Sequence, residues 1–237
     1  MNVEAQVIGP DVGRLARLLQ FSDSTLPVGG FSFSQGLESA VQLNIVSDAE
    51  SLKDYLTVVL RQAAHMDGIA LLHACRAASR DDYDALLEAD SALWVRRVGE
   101  EQQMMLARMG KKFAELASAI APSPLLARWL SDIRCGATPG CLPVAQAIVL
   151  DGLGAHEAEA FIVHQYGLAS MILNAALRLM RIDHVATQRL LFDAQASTPD
   201  HYRAVRALEL DDMSGFAPVF EVVVAHHTRT HLRLFMN

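Results

Sequence analysis

Cysteine is scarce, with 3 in 237 residues: Cys75, Cys135 and Cys141. A small, odd count excludes the disulfide framework that holds small secreted domains together. The Cys135–Cys141 spacing is not that of a zinc finger, so ordinary thiols are expected. Aromatics make up 6% and charged residues 20%. No Lys/Arg cluster is present and the formal net charge is −7, a balance that argues against nucleic acid or an anionic membrane as partner. The opening MNVEAQVIGPDVG lacks a basic stretch followed by an apolar one, so no signal peptide is expected and the cytoplasm is the expected compartment. No internal repeat, low-complexity tract or long linker divides the chain, and 1–237 reads as one domain with ample length for a core.

Catalytic signatures are equally thin. A P-loop requires a Lys and a Ser/Thr after its second glycine; Gly30 and Gly36 have the wrong spacing, and Leu37-Glu38 stand in those places. A G-x-G-x-x-G fingerprint and a G-x-S-x-G nucleophile elbow are absent. Asp81-Asp82 and Asp211-Asp212 fall where helices should start, which is reason enough for carboxylates. His227 and His231, with His226 beside them, are spaced i, i+4 and could face one side of a helix. No Cys or carboxylate lies close enough in sequence to complete a metal site, so a polar surface face is expected. The residues therefore imply no catalytic site, no cofactor and no metal.

What is abundant is Ala, Leu and Met in a chain that is 51% hydrophobic, which favours helix. A capping box over Ser47–Glu50 predicts a helix to about His65, which Asp67-Gly68 should interrupt. Asp81-Asp82 open the next helix; Val98, Met105, Met109, Phe113 and Leu116 form the stripe of another. Ser123-Pro124 predicts N-cap and N1 of a short helix, and helices are expected from about Pro143 to Asp151 and from about His156 to Met180. Val185 to Ala194 and a segment opened by Thr198-Pro199 should be two more. The run Phe161 to Leu177 carries no charge but includes His164, Gln165 and Asn174, so a buried core helix is expected in place of a membrane span. Residues 219–224 are β-branched and strand-like, but one strand cannot make a sheet. The fold class is all-α, a single-domain bundle of about ten helices.

The stretch around which the chain is organised is LLQFSDSTLPVGGFSFSQGLE, Leu18 to Glu38. Pro27 drives Leu26 out of the α region, Gly29 and Gly30 allow φ > 0 or close approach, and Ser32 or Ser34 should cap a helix from about Phe33 to Leu43. This stretch resembles the start of the UreF-type urease accessory proteins, LLQ…LPVGxF(S)YSxGLE, with Phe33 in place of the usual Tyr. Met109-Gly110-Lys111 resembles the family's M-G-[RK] segment, and Ala175–Leu179 followed by Gln188 resembles AA-x-R-L…Q, with Asp183–Ala186 replacing a Gly-Gln-Thr-Asp core. Ser214–Pro218, His227 and Arg233-Leu234-Phe235 resemble the family's tail, with Thr228 for a Glu and Asn237 for a Ser.

The resemblance implies an all-helical, non-enzymatic homodimer that helps insert nickel into apo-urease. It would bind a UreD/UreH-type accessory protein and the GTPase UreG, acting as adaptor and regulator of the latter. It implies structural roles for Pro27, Gly29, Gly30 and Gly36. Partner contacts are expected at Phe33, Gln35, Glu38, Arg178, Gln188, His227, Arg233, Leu234 and Phe235, with 1–12 and 228–237 as flexible or partner-docking ends. The alternatives are a metal-binding protein using the histidine tail, or a generic helical protein-binding module.

Overall fold

The computed structural model describes residues 10–23, 25–215 and 234–235. The strand-like run 219–224 and residues His226, His227, His231 and Arg233 lie outside them. Among the described residues the chain forms ten α-helices: α1 Pro10–Ser22, α2 Leu37–Gln42, α3 Ala49–Ala63, α4 Ile69–Ser79, α5 Tyr83–Arg96, α6 Glu100–Ile120, α7 Pro124–Cys135, α8 Leu142–Gly152, α9 Glu157–Leu179 and α10 His184–Val205. The all-α expectation holds.

Two apolar clusters organise them. One is built on α4, α5, α6, α7 and α8, with Leu72, Leu86, Phe113, Trp129 and Ile148 almost fully buried. The other joins α2, α3, α9 and α10 through Leu37, Leu52, Leu56, Ile172 and Leu190, and Phe235 packs into it. α9 spans both clusters, from Phe161 in the first to Ala176 in the second. Among the described helices it alone is long and apolar enough to cross a membrane, yet 67% of its most apolar window is buried inside the chain. Burial of most of that window inside the chain accounts for its apolar composition.

Several local expectations hold. Asp82 caps α5 by accepting from Ala85 N, and Ser123 caps α7 with Pro124 just inside. Others need correction. The cap of α3 is Asp48, not Ser47: its carboxylate accepts from Ser51 N while the Ser51 hydroxyl accepts from Asp48 N, so Ser51 and not Glu50 closes the box. Asp67-Gly68 does not interrupt. Residues Ala64–Gly68 form one π turn that carries α3 into α4, with Gly68 at helical φ −64°. The Asp67 side chain is drawn inward to an ion pair with Arg97 and so does not end the helix. The two helices expected over 185–208 are one, α10, with Pro199 inside it. Pro199 has no N–H to offer the preceding turn, while the Ser197 hydroxyl donates 2.8 Å to Ala194 O in that turn. The helix expected from Phe33 begins four residues later, at Leu37, for a backbone reason that shapes the site.

Candidate functional site

The chain leaves α1 with Leu18 and Phe21 buried and Leu15 and Leu19 exposed. Asp23 Oδ1 accepts from Thr25 N at 2.8 Å, and Val28 N donates to Leu26 O at 2.7 Å, a tight turn centred on Pro27. Gly29, at φ 88°, then swings the backbone into a single 3₁₀ turn, Gly30–Ser32. Gln35 and Gly36 follow at φ 52° and 78°. Two consecutive left-handed residues cannot belong to a right-handed helix, so α2 starts at Leu37 with Gly36 as its N-cap. Ser34 still contributes, its hydroxyl accepting from Glu38 N at 3.3 Å. Gln35 bears the left-handed strain without a glycine's freedom, and the Tyr55 hydroxyl of α3 donates to its carbonyl. Gly36 is buried among Phe33–Ala40. Gly36→Val is expected to destabilise by about 1–3 kcal/mol, because a β-branched residue must sit at positive φ in a closed space; an unshifted denaturant midpoint contradicts this.

The loop ends on a buried charge. Glu38 is 2% exposed, and its carboxylate accepts from Leu234 N at 2.7 Å and Phe235 N at 3.0 Å. The motif-bearing stretches at opposite ends of the sequence therefore meet. Arg178, in the last turn of α9, joins them: its guanidinium lies 3.8 Å from the Phe31 ring centroid and 4.1 Å from that of Phe235. It donates to Phe31 O at 2.9 Å and to Asn174 O at 3.3 Å. Partial burial against these rings lowers its pKa from the ordinary value. Cation–π stacking of this kind is worth about 0.5–2 kcal/mol.

Beside this junction lies a cavity of about 120 Å³ between the opening loop, α6, α8 and α9. Its walls are apolar, including Leu106, Met109, Phe113, Val163 and Met171, and Phe31 and Arg178 stand at its mouth. The floor is polar. Asp67 pairs with Arg97, their side chains 7% and 11% exposed. His164 Nδ1 donates to Gln146 Oε1 at 2.8 Å, and its Nε2 lies 4.0 Å from Asp67 Oδ2. Burial pushes the His164 pKa below the ordinary imidazole value; Asp67 pulls it upward, and Arg97 adds to the downward push. The unfolded chain therefore gains a proton at position 164 before the folded chain does. Stability is expected to fall as pH drops from about 7.5 to about 5.5, and His164→Gln should flatten that slope. Denaturant titrations of both proteins at the two pH values check this; identical slopes contradict it.

The expected contact residues are thus divided. Phe33 is buried against Met105 and Met109, and Gln35 and Glu38 are buried with it. Leu234 is 76% exposed and Phe235 only 4%. Gln188 is exposed on α10. Pro27 is exposed, and Gly29 and Gly30 are half-buried at the loop's turn. No group of three metal-ligating side chains occurs among the described residues. Phe31, Tyr55, Asp67, Arg97 and His164 were missed because they lie on five different elements: the 3₁₀ turn, α3, the π turn, the end of α5 and α9. Only the alternation of Phe31 and Phe33 hinted that one ring faces in and the other out.

A family model described as UreF matches residues 46–195. The urease accessory protein UreF 2 of Brucella canis is 44% identical over 223 residues, covering 94% of this chain and 92% of that protein. The urease accessory protein UreF of Yersinia enterocolitica is 42% identical over 223 residues, covering 94% of this chain and 98% of its own length.

Proposed function

Because the chain belongs to the UreF family of urease accessory proteins, we propose that it is a non-catalytic, cytoplasmic adaptor, acting as a homodimer in urease maturation. It recruits and regulates the GTPase UreG, together with a UreD/UreH-type partner, so that nickel reaches apo-urease. The observation that carries this reading is the junction at Arg178. It gathers exposed Phe31 of the opening stretch and buried Phe235 of the tail around one exposed guanidinium, so the two motif-bearing stretches meet at one junction. Exposed aromatic and arginine side chains are the residue types that dominate protein contacts, and the planar guanidinium fork suits a partner carboxylate.

Two experiments test it. Deleting the gene should abolish urease activity at normal nickel; undiminished activity at normal and high nickel alike overturns the reading. Arg178→Ala should leave the fold and the UreD/UreH-type contact intact but weaken UreG retention in a pull-down with purified partners. Full UreG retention by the folded variant leaves the intramolecular stacking on Phe31 and Phe235, worth about 0.5–2 kcal/mol, as the residue's role.

A further inference from the structure

The cavity between Met109 and Met171 is not needed to close the junction, and its construction suits a guest. At about 120 Å³ it approaches the engineered cavities of about 150 Å³ that accept one benzene-sized group. Thioether walls adapt to guests of different outline. The mouth carries an exposed ring, Phe31, at 71% exposure. Cations flank it. Arg178 uses two N–H groups on backbone carbonyls, leaving others of its five for an incoming acceptor. Exposed Lys112 places Nζ 3.8 Å from where a Cβ on Gly29 would sit. Of the carboxylates lining the cavity, Asp67 is paired with Arg97, and Asp23, an exposed anion that accepts from Thr25 N, is outnumbered by Arg178 and Lys112. The rim is thus locally cationic on a chain of net charge −7.

We propose that this cleft docks an acidic segment of a protein partner, which seats one aromatic side chain between Met109 and Met171 and sets carboxylates against Arg178 and Lys112. The inference does not depend on which urease accessory protein supplies the segment. An apolar anchor in a pocket with charges around it is the general form of a compact binding hot spot.

The full chain, labelled at its methionine methyl groups, is titrated by NMR with three capped pentapeptides: Asp-Glu-Phe-Asp-Glu, the same with Ala at the centre, and Lys-Lys-Phe-Lys-Lys. The acidic phenylalanine peptide at millimolar concentration should shift the Met109 and Met171 methyls saturably, and the other two should not. Gly30→Leu should abolish the shifts, because a side chain at residue 30 enters between these methionines, with a Cβ 3.4 Å from Met109 Cε and 3.6 Å from Met171 Sδ. Lys112→Glu, at an exposed position, should weaken binding about two- to fivefold. The proposal is overturned if the acidic phenylalanine peptide causes no shift, if either control peptide binds equally, or if toluene binds while no peptide does.

Discussion

Gly110→Ala is expected to lower stability by about 3 kcal/mol or more, because the added methyl group has no direction in which to yield. A Cβ at residue 110 would lie 2.1 Å from Gly140 O, 2.6 Å from Leu142 N and 2.7 Å from the Cys141 carbonyl carbon. All three atoms are backbone. α6 is pressed against the turn that leads into α8, and a flexible side chain cannot absorb the clash. The expected result is a large drop in denaturant midpoint with little change in slope. A shift of less than about 1 kcal/mol would mean that residues 138–142 move aside freely, against the packing described.

The second large effect falls on the same turn from the other side. Asp90 of α5 is fully buried. Its Oδ2 accepts from the Thr138 hydroxyl at 2.6 Å and Gly140 N at 2.9 Å, and its Oδ1 accepts from Cys141 N at 2.8 Å. Asp90→Ala removes the acceptor for three donors at once, and each unsatisfied buried donor costs about 1–3 kcal/mol. A net loss of about 3–5 kcal/mol is expected, with Asp90→Asn intermediate because one amide oxygen still accepts. Since both substitutions release one turn, Gly110→Ala and Asp90→Ala together should lose less than the sum of their separate losses. Strict additivity, measured by a double-mutant cycle, would show that the two contacts hold different structures. The turn matters to the cavity because it fixes the start of α8, which supplies Leu142, Pro143 and Gln146 to its lining.

The sequence was informative where structure is local. Ser123-Pro124 and Asp82 announced helix starts because capping uses atoms three residues away, and the charge-free run of α9 announced a core helix because a largely buried helix has little room for charge. It failed where a distant contact overrode local preference. Asp67-Gly68 has the composition of a break, yet Arg97, thirty residues on, turns the carboxylate inward and the helix continues as a π turn. Thr198-Pro199 has the composition of a helix start, but α10 packs along α9 and runs through it. At the site, the motif from Leu26 to Glu38 marked the loop, and Gly29 and Gly36 marked two of its left-handed positions, while nothing marked Gln35 and Gly30 is not left-handed. The cavity floor and the Asp90 cradle left no trace, because His164, Gln146, Arg97 and Asp90 carry no spacing that relates them along the chain.

The Glu38 carboxylate has a consequence for how the protein comes off the ribosome. Its two backbone donors lie 196 and 197 residues downstream. During vectorial synthesis the first motif, α2 and α3 emerge long before those amides exist, so the buried end of the opening loop lacks two of its hydrogen bonds until translation has passed residue 235. Nascent chains arrested before residue 234 should expose that loop to protease while α4 to α8 already resist it, and release of the finished chain should close it. A message truncated near its end would yield a product whose larger core is built but whose motif-bearing face never sets.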